Sequence, residues 1–169
     1  EGDECLRKVC KPVKSVSLRT RILIEDMFDT MYESGGVGLA APQIGVLKRI
    51  VVMDTDDNQH VLINPQILEV SGEQTGYEGC LSIPGKSGIV TRPDYVKVKA
   101  LNERGEEYIL EGEGLLARCI CHECDHLDGI LYSDKAEGGL INNEDLPEDE
   151  EEELYEDAYE EFTEEEIHK

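Results

Sequence analysis

The stretch His122-Glu123-Cys124-Asp125-His126 decides how this 169-residue sequence is read. Its form is H-E-x-x-H, two histidines four residues apart with a glutamate beside the first. On an α-helix that spacing stacks both imidazoles on one face, one turn apart, where both reach a single metal ion. Glu123 falls about 100° round from His122, near the metal yet free to carry a proton. A chance pair of surface histidines is the plain alternative. The apolar run from Gly114 to Ile120, which leads into the motif, argues for burial instead.

Working outward, the spacing predicts a helix from about Glu113 to Leu127, closed by Gly129. At about 100° per residue, Leu115, Cys119, His122 and His126 share an arc of roughly 60°. The first half of that stripe is either the lining of a pocket that ends at the metal or ordinary core. Just upstream, Val96, Val98 and Ala100 alternate with Lys97 and Lys99, the pattern of a half-buried strand. Asn102-Glu103-Arg104-Gly105 turns it, and Glu107 to Leu110 returns as a hairpin.

Further upstream lies Gly36-Val37-Gly38-Leu39-Ala40-Ala41-Pro42-Gln43. Small residues at this density let another backbone approach, so the loop can offer its N–H and C=O groups to an extended peptide. An ordinary tight turn fits as well. No Lys-Ser/Thr pair follows, which disfavours a phosphate loop. Arg49–Asp54, Val61–Asn64 and Ile67–Val70 read as short strands broken at Asp56-Asp57-Asn58 and Asn64-Pro65. In Glu78-Gly79-Cys80-Leu81-Ser82-Ile83-Pro84-Gly85, Cys80 taken alone reads as a packing residue. Apolar positions from Leu18 to Met31 recur at helical spacing over Val16–Tyr32, capped by Ser15 or Ser17 and stopped by Gly35-Gly36. Cys5 to Pro12 is an irregular or extended lead-in.

The net charge of −23 is unevenly spread: Glu144–Lys169 holds fifteen Asp/Glu against one Lys, leaving −9 for the body. Neither part shows the basic patch that direct nucleic-acid binding requires. Leu154, Tyr155, Ala158, Tyr159 and Phe162 share an arc of about 140° on a helix, so the tail has a stripe with which to dock. Gly138-Gly139 mark the expected end of the folded body. No apolar run suits a membrane span, and no secretory signal pattern opens the sequence. With three of the six cysteines crowded round the histidine pair, reduced thiols in a cytoplasm are expected.

Three motifs thus follow in order: Gly36-x-Gly38-x-Ala40-Ala41-Pro42-Gln43, Glu78-Gly79-Cys80-Leu81-Ser82 and His122-Glu123-x-x-His126. Together, from about Asp3 to Tyr132, they closely resemble the signature of bacterial-type peptide deformylases. The resemblance implies an α+β fold with antiparallel sheets packed around a central metal-binding helix, plus an N-terminal helix and a C-terminal acidic helix or tail. It implies a catalytic domain over residues 1–143, with 144–169 as the acidic appendage.

The resemblance makes Cys80 the third metal ligand beside His122 and His126, reversing the plain reading of that cysteine. It implies Fe(II) as the ion, with Zn, Ni or Co as substitutes. The expected reaction is removal of the formyl group from the N-formylmethionine of newly synthesised proteins, releasing formate. Metal-bound hydroxide attacks, and Glu123 serves as general base and acid. Gln43 and the Leu81 N–H stabilise the oxyanion. Gly36, Val37 and Gly38 hold the peptide backbone, and Leu115 and Cys119 line the methionine pocket. Arg92 is expected to support the metal helix through Asp125 or Glu78. The partners implied are formylated nascent chains near the ribosome, with no RNA anchoring through so acidic a tail and no membrane. Two alternatives stand: an H-E-x-x-H zinc peptidase, and a non-catalytic protein closed round a structural zinc with a fourth ligand such as Cys119 or Cys121.

Overall fold

The computed structural model describes residues 4–55, 57–80 and 82–145. Its fold is mixed α+β, with two antiparallel sheets and two α-helices. The larger sheet has five strands: β1 (Gly38–Ala40), β2 (Ile50–Thr55), β3 (Asn58–Ser71), β6 (Tyr95–Leu101) and β7 (Glu107–Glu113), in the order β1-β2-β3-β6-β7. The smaller has three: β4 (Gln74–Cys80), β5 (Ile83–Arg92) and β8 (Glu137–Asn142), in the order β4-β5-β8.

The run Ile50-Val51-Val52-Met53 explains the layering. Every residue of β2 is buried, as expected of a strand covered on both faces. Ile50 and Val52 pack with Ile24, Met27 and Met31 of helix α1 (Leu18–Glu33). Val51 and Met53 turn the other way, onto Ala117, Ile120, Cys124 and Leu127 of helix α2 (Leu115–Leu127). Alternation along one strand therefore seats a helix on each side of the larger sheet. Each buried Ile or Met side chain contributes roughly 1.5–3 kcal/mol.

Ser17 caps α1: its hydroxyl accepts from Thr20 N–H at 3.3 Å, and its own N–H donates to Thr20 Oγ1 at 3.3 Å. At the head of α2, Gly114 adopts φ 58°, ψ −125°, so Glu113 ends β7 and the helix starts two residues later than expected. The glycine lets a strand turn sharply into the helix that carries the histidines.

Three other expectations change. The segment broken at Asn64-Pro65 on paper is one strand, β3, because the Asn64 kink (φ 54°) is absorbed as a register shift between Ile63 and Gln66. The Asn64 side chain holds the kink, accepting from Val13 N–H at 2.8 Å and donating to Val13 C=O at 2.9 Å. Gly138 and Gly139 lie inside β8, which pairs with β5, so they do not end the body. The Gly36–Gln43 loop contains strand β1 and a short 3-10 turn, Ala41–Ile44.

Charge totals hide one cationic strip. Between Cys5 and Ile24 there are six Lys/Arg and no Asp/Glu. Lys8, Lys11 and Lys14 are exposed there, and Lys11 bridges to exposed Lys48. No helix among the described residues is long and apolar enough to cross a membrane. The expected acidic stripe from Leu154 to Phe162 lies outside the described residues.

Candidate metal centre and cleft

α2 delivers His122, Glu123 and His126 from one buried helix. Cys80 arrives from the end of β4, where the pairing with β5 slips: Gly79 faces Ser87, but Cys80 faces Ile83. The extra residues Pro84-Gly85-Lys86 bulge, with Gly85 at φ 78°, and the bend re-aims Cys80 toward α2. Cys80 Sγ comes 3.3 Å from His126 Nε2, and the three donor atoms of Cys80, His122 and His126 all lie within 4.8 Å of one another.

The environment selects the donor atoms. His122 Nδ1 is 2.7 Å from Glu78 Oε1, and a carboxylate held ionised can only accept, so Nδ1 carries the proton and Nε2 is the ligand atom. Tyr132 stacks on the His122 ring at 5.8 Å and fixes its plane. Burial lowers the His126 pKa to about 3, helped by His122 and Arg92, which keeps it a neutral imidazole. Burial also lowers that of His122, but hydrogen bonds to Cys80 and Glu78 outweigh it and the net shift is upward. A divalent cation taken up at Nε2 would displace a proton from the imidazolium.

Glu78 is saturated. Arg92 Nε and Nη2 donate to its two oxygens at 3.1 and 2.9 Å, and Arg118 Nη1 adds a bond at 2.5 Å. Arg92 Nη1 also reaches Asp125 at 2.6 Å, so it joins both expected carboxylates rather than one. Glu123 contrasts with this. It is buried, its Oε2 has no hydrogen-bond partner among the described residues, and its Oε1 lies 3.8 Å from His122 Nε2. Burial pushes its carboxyl up to about 7, with His122 opposing and the Glu78 charge adding to the rise. That value suits a group that takes up and returns a proton near neutrality.

A cleft of about 980 Å³ opens over this cluster, lined by Gly36–Gly38, Gln74–Cys80 and side chains of α2 including Leu115, Arg118 and Cys119. β1 and β4 are edge strands of their respective sheets, and both border the cleft. Asp54 N–H donates to Val37 C=O at 2.9 Å, which makes 37 and 54 a bonded pair and turns the Gly38 N–H and C=O to the cleft side. The Gly36 N–H is engaged with Met31 C=O at 3.0 Å. Gln43 Oε1 accepts from Ala40 N–H at 2.9 Å, so its NH₂ group points inward, 3.1 Å from Ser82 Oγ and 3.6 Å from Cys80 Sγ. Leu81 lies outside the described residues.

The family model described as polypeptide deformylase matches residues 1–139. The chain belongs to that family. A peptide deformylase of Agathobacter rectalis is 61% identical over 140 residues, covering 83% of this chain and 89% of the relative. Peptide deformylase 1 of Clostridium acetobutylicum is 59% identical, covering 79% and 89%. Among solved deformylase structures, that from Thermotoga maritima has a TM-score of 0.79 at 44% identity, covering 80% of this chain and 93% of its own. A deformylase from Synechococcus elongatus, solved in complex with actinonin, has a TM-score of 0.79 at 40% identity, covering 92% and 81%.

Within this family frame, sequence reasoning missed two side chains at the centre, Arg118 and Tyr132. Arg118 precedes His122 by one helical turn, so the spacing that paired the histidines also marks it. Tyr132 carries no such signal, because it reaches His122 only through the turn after α2.

Proposed function

We propose that this chain hydrolyses the formyl cap on the N-formylmethionyl ends of new polypeptides, releasing formate. The observation that carries the reading is the meeting of the Cys80–His122–His126 donor set, buried Glu123 and a cleft bordered by two strand edges.

The donor set suits a divalent transition ion. A Cys80 thiolate with His122 and His126, their donor atoms all within 4.8 Å of one another, would hold such an ion with three protein ligands, the number typical of a catalytic site. The family resemblance implies Fe(II), with Zn, Ni or Co as substitutes. When bound, the ion supplies a Lewis acid and makes water acidic enough to yield hydroxide near neutral pH.

The chain's own residues do the rest. Glu123 accepts the proton of the attacking water and passes it to the amine nitrogen as the C–N bond breaks. The Gln43 amide, aimed by Ala40, donates to the negative charge growing on the formyl oxygen; the Leu81 N–H is the second donor. The Gly36–Gly38 segment, through its free backbone groups, pairs with the substrate as an added strand, which is tolerant of sequence. Leu115 and Cys119 border the methionine side chain.

The structural-zinc reading needs a fourth protein ligand, and among the described residues Cys119 and Cys121 do not join the donor group. It also leaves Glu123, whose buried Oε2 has no hydrogen-bond partner among the described residues, without a role.

Residues 1–143 form the catalytic unit, which works in the cytoplasm on nascent chains close to the ribosome. The tail 144–169 is too acidic to anchor it to RNA. Salt-sensitive ribosome binding that vanishes on deleting the tail would overturn that point. The central test is hydrolysis of formyl-Met-Ala-Ser by anaerobically prepared protein beside Glu123→Gln. Formate and a free amine are expected from the parent alone. Cleavage of internal peptide bonds with the formyl group intact would replace this reading with a peptidase.

A further inference from the structure

Arg118 lies on α2 one turn before His122, with its side chain 11% exposed at the floor of the cleft. Its guanidinium crosses from the helix to the smaller sheet at several points. Nη1 donates to Glu78 Oε2 at 2.5 Å and Nε to Gln74 Oε1 at 3.3 Å, while Nη2 reaches the carbonyls of Gln74 at 3.4 Å and Val90 at 3.2 Å. Gly76 lies alongside it, where a Cβ would stand at ordinary contact distance, 3.5 Å from Nη2. Gln74 completes the tie, donating to Gly114 C=O at 2.7 Å and Pro93 C=O at 3.1 Å at the head of α2.

Charge neutralisation does not account for this arrangement. Arg92, 2% exposed, already makes a two-bond pair with Glu78. What Arg118 adds is geometric. β4 is an edge strand that, among the described residues, pairs with β5 alone, yet it carries Cys80 at its end and borders the cleft along its length. An edge strand has ladder hydrogen bonds on one side only, so other contacts carry more of the work of holding it in place. Arg118 pins it to the helix that holds both histidines.

We infer that Arg118 is a positioning residue for catalysis: it straps the substrate-facing edge of β4 to α2. One side chain thereby fixes the distance between the cleft-facing strand that ends in Cys80 and the helix that carries His122 and His126. The inference rests on the deformylase reading and deepens it.

The test uses the cobalt-loaded full chain as parent, Arg118→Met and Arg118→Lys. The readouts are kcat and KM on formyl-Met-Ala-Ser, the visible Co(II) spectrum, and metal loss to a chelator. Arg118→Met is expected to raise KM and speed metal loss, each by about tenfold or more, as outer partners of metal ligands do. Its Co(II) bands should shift. Arg118→Lys keeps a cation beside Glu78 but cannot span Gln74 and Val90 at once. It should therefore restore metal retention and the spectrum while KM stays high.

An Arg118→Met protein that melts earlier but keeps parental KM and spectrum would reduce the residue to a stability role and overturn the inference. Full rescue of KM by lysine would do the same, since charge alone would then suffice. Should the methionine variant not fold, the lysine variant decides through its KM. A metal-loaded parent that never releases formate fails at the deformylase reading itself and takes the inference with it.

Discussion

Gly38 and Glu123 are packed so closely that a methyl group on Gly38 would stand 3.0 Å from Glu123 Cγ and 2.9 Å from Cys119 Sγ. The strand edge proposed to hold the peptide and the glutamate proposed to carry the proton therefore meet at a point where a glycine is the only residue that fits without movement.

Gly38→Ala forces Glu123 or Cys119 aside, and both are buried. Displacing an acid–base group by part of an ångström costs about tenfold to a hundredfold in rate. The expected result is a fall in kcat of that size with metal content unchanged, read from steady-state kinetics and metal analysis. Parental kcat in the alanine variant would refute the contact's importance.

Arg92 serves two carboxylates, Glu78 and Asp125, with its side chain 2% exposed. Arg92→Met takes that partner from buried Glu78 and from half-buried Asp125, which keeps Lys135 at 2.9 Å. Breaking such a pair typically costs 3–5 kcal/mol. Because Arg118 still faces Glu78, a loss near the low end, about 3 kcal/mol, is expected in urea unfolding. A loss below about 1 kcal/mol would place the network outside the stability-determining set.

Glu78 sets an acid limit. Burial pushes its carboxyl up, but the hydrogen bonds and charges of His122 and Arg92 outweigh this and hold it at about 2 against an ordinary 4.5. A depressed folded pKa gives stability that is fully present above 4.5 and disappears as pH falls toward 2. The contribution is on the order of 3 kcal/mol. Metal-free protein should lose urea resistance across that window, and Glu78→Gln should flatten the loss. An equally steep acid transition in the variant would assign it to other carboxylates.

Metal removal tests the donor set directly. The three candidate donors come from β4 and α2, so an ion bound there would tie strand and helix together and stabilise the folded chain by mass action. Chelation is expected to lower the melting temperature of the parent. Cys80→Ala, which lacks one donor, should melt at the metal-free value with or without added ion. A chelator-induced drop that persists in Cys80→Ala would mean that the ion binds elsewhere.

The histidine pair, the glycine-rich loop and the Cys80 segment were legible because each is a local pattern: a helical spacing, a density of small residues, a resemblance in order. What they surround was less legible. The β5 bulge that turns Cys80 toward α2 depends on a pairing slip between Cys80 and Ile83, and register is a property of two strands at once. β3 looked broken at Asn64-Pro65 because turn chemistry was read without the Val13 partner that holds the kink inside a strand. Arg118 could have been found at helical spacing from His122. Its acceptors Gln74 and Val90 could not, since they lie 44 and 28 positions away in the chain.

The cleft between the β1 and β4 edges also imposes a schedule. On the proposed reading, those edges offer hydrogen bonds to a partner only while that partner is extended and has its own backbone unpaired. An amino terminus already coiled into a helix or sealed into a sheet has no spare N–H and C=O groups to give. A cap still present when folding reaches the first residues is therefore out of reach, however long the enzyme waits. If the edges hold the peptide as proposed, they make this a race between deformylation and folding, one run on the emerging chain.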